Sequence, residues 1–274
     1  MFTLNCKGRL LVVDKPLIMG IINTTPDSFY EGSRFSGTDK ILSQAEKMIS
    51  EGADIIDIGG QSTRPGSDAI TAEKELSRVI KSIEIVHQHF PDAIISVDTY
   101  YSKVVYEAVQ AGAAMVNDVS AGSIDKEMMT TVASLKLPYV LMHMKGLPQT
   151  MQHNPDYENV TKEVLDFFIQ KKDECRKAGI YDVIIDPGFG FGKTIPQNFE
   201  LLKHLSVFKM LDTPILAGLS RKSTIYKTLA ISIEEALNGT TVLNTIALMN
   251  GANILRVHDV KEAKEAVTLW KMST

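Results

Sequence analysis

The chain has 274 residues, of which 44% are hydrophobic and 23% are charged, and its formal net charge is −4 at pH 7. These values are ordinary for a globular protein, and they argue against a disordered chain and against a basic surface that binds nucleic acid. An anionic ligand would therefore need a local cluster of cations rather than a general positive field.

Short apolar segments rich in Ile and Val recur along the chain, separated by longer amphipathic segments. The first element, Thr3–Val13, resembles a small hairpin. The apolar segments that follow are continuous rather than alternating, as expected of parallel strands that are buried on both faces. Eight strands are predicted, at Leu17–Ile22, Ile55–Ile58, Ile94–Val97, Ala114–Val116, Tyr139–Met142, Val183–Ile185, Ile215–Leu219 and Asn253–Val257.

The segments between these strands carry apolar residues at helical spacing. They predict helices at Lys40–Ser50, Ala72–His89, Lys103–Gln110, Lys126–Leu135, Glu158–Ala178, Asn198–His204, Ile233–Met249 and Val260–Trp270. Hydroxyl side chains that precede a helical pattern can accept an early backbone N–H, and glycine suits the turn after a helix. The predicted N-caps are Thr38, Thr71, Ser102 and Ser232, and the predicted terminating glycines are Gly52, Gly112, Gly179 and Gly251.

Repeated alternation of strand and helix is typical of an α/β protein and predicts a (β/α)8 TIM barrel with a short N-terminal β-hairpin. We expect the hairpin to close the bottom of the barrel. Counting strands does not establish closure, so a doubly wound open sheet is the alternative. The sequence has no Pro/Gly/Ser-rich linker and no break in composition, and we therefore expect a single domain over residues 1–274.

The cysteine content and the N-terminal sequence predict a cytoplasmic location. Only two cysteines occur, Cys6 and Cys175, and one disulfide would be a poor framework for a chain of this length. The N-terminal residues lack a basic region followed by a long apolar run, so no signal peptide is expected. No apolar stretch approaches the roughly 18 residues of a transmembrane helix.

Polar residues follow each predicted strand, at the point where the strand ends. In a barrel, these carboxyl ends and the loops after them meet at one mouth, where catalytic groups are found. The alternative is that each residue only forms a turn or caps a helix. The residues are Asn23, Asp57, Asp98, Asn117, Asp118, His143, Asp186, Ser220, Arg221, Lys222, Arg256 and His258.

Two of the loops after strands are long and rich in polar and turn-forming residues. One runs from Asn23 to Phe35 and contains Phe29, and the other runs from Gly59 to Gly66 and contains Arg64. Long loops of this kind usually carry function.

The sequence gives less support to other chemistries. Residues 186–194 end in Gly-Lys-Thr like a P-loop, but Pro187 replaces the first glycine, and the glycines more simply let Phe191 project over the mouth. No zinc-binding spacing is present, whereas amide and phosphate oxygens suit a hard ion such as Mg²⁺. A Ser220–His258–Asp186 triad and a Schiff base on Lys222 are weaker alternatives.

With these residues identified, the chain resembles the dihydropteroate synthase family of pterin-binding TIM barrels, in the family's motif order and over nearly its whole length. The resemblance implies a cytoplasmic homodimeric transferase of folate biosynthesis. Such an enzyme joins p-aminobenzoate to 6-hydroxymethyl-7,8-dihydropterin diphosphate and releases pyrophosphate, with Mg²⁺ as cofactor, and it binds sulfonamides. The matching segments are Gly20–Phe29, Gly59–Pro65, Ser96–Thr99, Val116–Val119, Asp186–Lys193, Gly218–Ser223 and Arg256–Asp259.

The resemblance also implies roles for individual residues. The pterin-binding residues would be Asp98, Asn117, Asp186, Lys222 and Arg256. The diphosphate would be bound by Asn23, Arg64, Arg256 and His258, with Asn23 also as a ligand of Mg²⁺. The p-aminobenzoate pocket would consist of Phe29, Thr63, Pro65, Phe191 and Ser223. The residues expected to promote the reaction directly are Lys222, Arg256, His258 and Arg64.

Two positions depart from the family pattern. Gln61 stands where a glutamate is usual, and Glu31 stands where an aspartate is common. The alternatives to a synthase are a corrinoid methyltransferase of the related pterin-binding type and a non-catalytic pterin-binding paralogue. The Ser-Thr-Arg-Pro and Ser-Arg-Lys-Ser segments argue against the methyltransferase, which needs no cluster of groups for a diphosphate.

Overall fold

The computed structural model describes residues 1–24, 37–61, 69–146, 151 and 155–273. The chain begins with an antiparallel hairpin of β1 (Phe2–Cys6) and β2 (Arg9–Val13). Eight parallel strands follow: β3 (Leu17–Asn23), β4 (Ile55–Gly59), β5 (Ile94–Asp98), β6 (Met115–Asp118), β7 (Tyr139–Met142), β8 (Val183–Asp186), β9 (Leu216–Ala217) and β10 (Ile254–Val257).

Helices lie between successive parallel strands and after the last one. They are α1 (Gly37–Ser50), α2 (Ala72–His89), α3 (Ser102–Ala111), α4 (Met128–Leu135), α5 (Val160–Ala178), α6 (Ile195–Lys203), α7 (Ser223–Leu229), α8 (Leu237–Met249) and α9 (Val260–Ser273). Two short 3₁₀ helices, Leu205–Leu211 and Glu234–Ala236, precede β9 and α8 respectively.

The parallel strands curl into a nearly closed barrel. Their order in the sheet is β8-β7-β6-β5-β4-β3-β10-β9. The two outer strands approach each other where Ile185 bridges to Ile215 in parallel, and the Ile185 N–H donates to the Pro214 carbonyl at 3.0 Å. The predicted (β/α)8 TIM barrel is therefore confirmed, and the alternative of an open doubly wound sheet is wrong.

Each strand is buried on both faces because it faces the barrel interior on one side and the helix layer on the other. On β3, Leu17 and Met19 belong to the interior cluster, whereas Ile18 and Ile22 pack with the helices. This arrangement explains why the strands are continuously apolar. The hairpin contributes buried residues to the same interior cluster, in contact with the amino ends of the strands: Leu4, Cys6 and Val13. The predicted hairpin plug is confirmed.

The predicted helix boundaries agree most closely with the structure where the helical pattern of apolar residues continues over many residues. Helix α2 has the predicted bounds, and the Thr71 side chain accepts the Lys74 N–H at its N-terminus. The expected caps at Thr38 and Ser102 are wrong, because both residues are already helical. The prediction of one helix over Ile233–Met249 is also wrong, since its first turn is 3₁₀ and Ser232 precedes that turn without capping α8.

The four predicted terminating glycines adopt the backbone conformation that this position requires. Their φ angles are +99°, +124°, +92° and +100° at Gly52, Gly112, Gly179 and Gly251. Both cysteines are buried and unpaired. Within the described ranges, no helix has the length and apolarity needed to cross a bilayer.

The hairpin plug predicts a difference in stability between two leucines of the same hairpin. Leu4 is 2% exposed and Leu10 is 66% exposed. Leu4→Ala should lower the free energy of unfolding by about 2–5 kcal/mol, because it leaves a cavity at the bottom of the barrel. Leu10→Ala should change the free energy of unfolding by less than about 0.5 kcal/mol. Urea denaturation monitored by circular dichroism measures both free energies of unfolding. Equal losses of stability in the two variants would contradict the conclusion that the hairpin closes the barrel.

Candidate active site

Polar side chains lie at the end of the barrel opposite the hairpin. The strand register places Asn23 beside Gly59, Gly59 beside Asp98, and Asp98 beside Asn117. Four adjacent strands thus end at one level. A Cβ on Gly59 would lie 3.2 Å from the Cβ of Asp98, so the glycine leaves room for the neighbouring carboxylate.

Arg256, near the end of β10, links this row by two ion pairs. Its Nε donates to the Asp57 carboxylate at 2.6 Å, and its Nη2 donates to the Asp98 carboxylate at 2.5 Å. The Asn117 amide donates to the same oxygen of Asp57 at 3.0 Å. The guanidinium is therefore held in one plane inside the mouth, where low dielectric strengthens each contact.

Asp57 is the residue of this network that the predicted pterin-binding set lacked. Its side chain is fully buried, and its second carboxylate oxygen has no hydrogen-bond partner among the described residues. Buried polar atoms are usually paired, so this unpaired oxygen carries a free-energy cost within the polar cluster. The sequence feature that could have identified Asp57 is its position as a carboxylate inside the apolar run Ile55–Gly59.

Lys222 and Asp186 form the second part of the mouth. A Cβ on Gly218 would lie 3.6 Å from the Lys222 Nζ and 3.8 Å from the Asp186 Oδ2, so both groups face the space over that glycine. The Lys222 ammonium donates to the Phe189 carbonyl at 2.5 Å and lies 4.6 Å from the centre of the Phe191 ring. The Asp186 Oδ1 accepts the Gly188 N–H at 2.8 Å.

Burial and neighbouring charges shift the titration of these groups. Burial lowers the pKa of Lys222 to about 8, and Arg256 adds to this effect, although Asp186 opposes it. Burial also raises the pKa values of Asp98 and Asp186, against the attraction of the nearby cations. Burial alone would lower the pKa of Arg256, but the carboxylates of Asp57 and Asp98 raise it above its ordinary value. The guanidinium therefore stays charged.

The remaining predicted residues lie around the rim. Asn23 is half-buried at the end of β3, and Ser223 is half-buried at the start of α7. The Phe191 ring packs on the cluster of Tyr100, Val119 and Met142. These positions agree with a site at the mouth.

His258 is exposed just after β10, and its Nδ1 lies 3.0 Å from the Ser220 hydroxyl. Asp186 instead binds the Gly188 N–H and interacts electrostatically with Lys222, so its contacts give no support to the Ser220–His258–Asp186 triad. Arg221 donates to both carboxylate oxygens of Asp259, and this ion pair fixes its guanidinium.

Some predicted residues lie outside the described residues, namely Phe29, Glu31, Thr63, Arg64 and Pro65. Gln61 lies at the edge of one of these gaps and is 7% exposed. Its side-chain oxygen accepts the Ile70 N–H at 2.9 Å, which joins the two ends of the loop. The amide at this position therefore makes a structural contact in which a carboxylate oxygen could also act as acceptor.

Lys193 does not resemble the lysine of a phosphate-binding loop. It is 2% exposed, and its Nζ donates to the carbonyls of Gly188 at 2.9 Å and Phe191 at 3.0 Å. Its ammonium therefore faces the backbone beneath the mouth. No sequence pattern indicates this burial, because a lysine in a glycine-rich loop is ordinarily exposed.

Comparison with known proteins agrees with this fold. The family described as pterin binding enzyme matches residues 19–258, so the chain belongs to the pterin-binding enzymes. It is 43% identical over 270 residues to the dihydropteroate synthase of Haemophilus influenzae, covering 98% of each chain. Within the pterin-binding enzymes, the chain belongs to the dihydropteroate synthase family.

Solved structures give the same result. The dihydropteroate synthase of Yersinia pestis in a sulfonamide complex has a TM-score of 0.94 and 39% identity, with 99% of each chain covered. The Xanthomonas albilineans dihydropteroate synthase in complex with 7,8-dihydropteroate has a TM-score of 0.90 and 38% identity, covering 99% of this chain and 98% of that one. The resemblance recognised from the motifs is thus confirmed.

Proposed function

We propose that the protein is a dihydropteroate synthase, a transferase of folate biosynthesis. It condenses p-aminobenzoate with 6-hydroxymethyl-7,8-dihydropterin diphosphate to form 7,8-dihydropteroate and pyrophosphate. The observation that carries this proposal is the arrangement at the mouth, where Arg256 forms ion pairs with Asp57 and Asp98. The charges of Asp186 and Arg256 both act on the nearby Lys222. The chain also matches such synthases over nearly its full length.

Recognition of the pterin follows from the polar groups at the mouth. A pterin presents adjacent donors and acceptors along one edge of its ring. Hydrogen-bond acceptors and a donor for that edge come from Asp186, Asn117 and Asp98. A ring without the matching groups would leave these buried side chains unpaired and would therefore bind much more weakly. The Lys222 ammonium would donate to the oxygen or ring-nitrogen side. The flat Arg256 guanidinium would stack on the ring face.

The reaction is driven by departure of the leaving group. The bond between the exocyclic methylene carbon and the diphosphate oxygen breaks, and its electron pair leaves with pyrophosphate. Positive charge spreads over the pterin, where the carboxylates of Asp98 and Asp186 stabilise it. Arg256, His258 and Arg64 stabilise the negative charge that develops on pyrophosphate. The amine of p-aminobenzoate then attacks the carbon and loses a proton, so no strong general base is required.

Mg²⁺ is the expected cofactor, and the site suits an ion held mainly by its substrate. Within the described ranges, no group of three His, Cys, Asp or Glu residues could hold a metal, and the carboxylates of Asp57 and Asp98 bind Arg256. The Asn23 amide oxygen, at the end of β3, suits a hard cation whose other ligands are diphosphate oxygens and water. When bound, Mg²⁺ would offset the charge of the diphosphate.

The second substrate would bind beside the pterin. The Phe191 ring and Ser223 flank Lys222, whose stem would border the p-aminobenzoate. Phe29, Thr63 and Pro65 would complete this pocket from the two long loops. Exclusion of water there would protect the pterin cation from hydrolysis. A sulfonamide resembles p-aminobenzoate and would occupy the same pocket.

We also propose that the protein forms a homodimer and acts in the cytoplasm. Helix α8 exposes an apolar stripe at Val242, Ile246 and Met249, and the neighbouring helix α9 exposes Leu269 and Met272. Exposed apolar residues that share one surface are typical of a protein interface. A second copy of the chain would cover them.

The proposed activity is tested by release of pyrophosphate when both substrates and Mg²⁺ are supplied. Release that requires p-aminobenzoate supports the synthase, whereas a non-catalytic paralogue or a methyltransferase would release none.

Arg256→Ala should reduce kcat/KM at least about 100-fold and weaken binding of the pterin diphosphate, because it removes a preorganised charge. Arg176→Ala, whose side chain is 70% exposed, is the control and should have no effect. Retained turnover in Arg256→Ala would contradict its role.

The pH dependence of the reaction provides a test of Lys222. The charged ammonium is the form that donates to the pterin, and its pKa is lowered to about 8. The value of kcat/KM should therefore fall as the pH rises through about 8. In Lys222→Arg the guanidinium remains charged, so the alkaline decline should move to higher pH even if the maximum is lower. If the alkaline decline of kcat/KM occurs at the same pH in Lys222→Arg as in the wild-type protein, the decline reports the titration of another group.

The proposed dimer is tested by sedimentation analysis. Ile246→Glu places a charge in the apolar stripe of α8 and should shift the protein from dimer to monomer. Ile169→Glu, on α5, changes a residue that is 51% exposed and lies outside the stripe, and it should leave the dimer intact. A monomeric wild-type protein would refute the proposal.

A further inference from the structure

The glycine-rich segment between β8 and α6 lies directly on the backbone of the preceding loop. Gly188 and Gly192 have φ angles of +70° and +59°. A Cβ on Gly188 would lie 1.9 Å from the His143 carbonyl oxygen, and one on Gly192 would lie 2.4 Å from the Lys145 carbonyl oxygen. No other residue type fits so close to a neighbouring backbone, so the path of the segment is tightly constrained.

Lys193 lies beneath this segment with acceptors for all of its protons. Besides the carbonyls of Gly188 and Phe191, its Nζ lies 3.0 Å from the Nδ1 of His143. Burial, with the charge of Lys193, lowers the pKa of His143 to about 2. The imidazole is therefore neutral, and its Nδ1 accepts a hydrogen bond from Lys193, whose own pKa burial lowers to about 7.

The two carbonyls that Lys193 binds are the ends of the turn that holds Lys222. The Phe191 N–H donates to the Gly188 carbonyl at 3.1 Å and closes this turn. Between these ends lies Phe189, whose carbonyl accepts from the Lys222 ammonium, and the Phe191 ring lies beside the same ammonium. A shift of the turn would therefore move both contacts that orient Lys222.

Stability alone does not require a lysine at this position. A buried ammonium loses its hydration, and well-packed apolar residues often replace buried charges without loss of stability. The same buried charge has a use if the turn must be held in one place while the mouth binds and releases its ligands. Helix α6 assists, since the Asn198 side chain accepts the Gly190 N–H at 2.6 Å.

We propose that Lys193 is a positioning residue, whose ammonium fixes the Gly188–Phe191 turn so that the Lys222 ammonium is directed at the bound pterin. The proposal rests on the proposed function for the identity of the ligand. It goes beyond that function in assigning a second lysine, which lies beneath the mouth and acts only through the first.

A double-mutant cycle tests this dependence. Lys193→Met keeps the length of the side chain but removes the charge and the donors. It should lower kcat/KM roughly 10- to 100-fold, because small displacements of a reacting group are costly. In a Lys222→Ala background, the same change should have little further effect, since the group that Lys193 positions is already absent. If Lys193→Met lowers kcat/KM by the same factor with and without Lys222, the proposal is overturned and Lys193 has only a structural role.

The control cycle uses Lys172→Met, which removes a lysine that donates to the Leu211 carbonyl before β9, away from the mouth. Its effect should be small and the same in both backgrounds. Lys193→Gln, which keeps donors for the carbonyls, provides a second variant if Lys193→Met does not fold. Loss of the fold in both variants would overturn the proposal.

Binding of 6-hydroxymethylpterin, measured by calorimetry through the same cycle, separates this proposal from the proposed function. If the wild-type protein releases no pyrophosphate but Lys193→Met weakens pterin binding only where Lys222 is present, the proposed activity fails and the positioning role stands. If the wild-type protein is active and the cycle shows no coupling, the positioning role fails and the activity stands.

Discussion

The guanidinium of Arg256 is fixed between the carboxylates of Asp57 and Asp98, and the rest of the mouth is arranged around this pair of contacts. Opposite charges attract strongly there because the barrel wall excludes water and lowers the local dielectric. A hydrogen bond holds the Asn117 amide in place, since it donates to the oxygen of Asp57 that Arg256 binds. A ligand therefore meets polar groups that are already oriented, and little reorganisation is needed when charge develops.

The two ends of the barrel divide stability and function between them. At the hairpin end, Leu4, Cys6 and Val13 close an apolar interior. At the mouth, buried polar groups are kept partly unsatisfied, as the orphaned oxygen of Asp57 shows. Such groups reduce stability, and a protein can retain them when a well-packed core elsewhere offsets the cost. This division is typical of barrel enzymes, in which one face is built for stability and the other for chemistry.

Prediction from the sequence succeeded where a signal is repeated along the chain. The strands are continuously apolar because both of their faces are buried, and the long period of α2 fixed both of its ends. It failed where the signal is short. Helix α7 was missed because its seven residues, Ser223–Leu229, are too few to show a period. The expected cap at Ser102 was displaced by one residue, since the backbone turns at Tyr101.

For the site, the sequence was enough to predict which residue types gather at the mouth, because parallel strands in a barrel end at one rim. Those ends carry Asp98, Asn117, Asp186 and Arg256. How these residues pair depends on contacts that form only in the folded chain. Asp57 lies within an apolar run, and its role became visible only when β10 brought Arg256 beside it. Lys193 likewise lies in a glycine-rich loop, and its burial depends on two loops packing backbone to backbone. Pairing and burial are properties of contacts between distant segments, which no local pattern encodes.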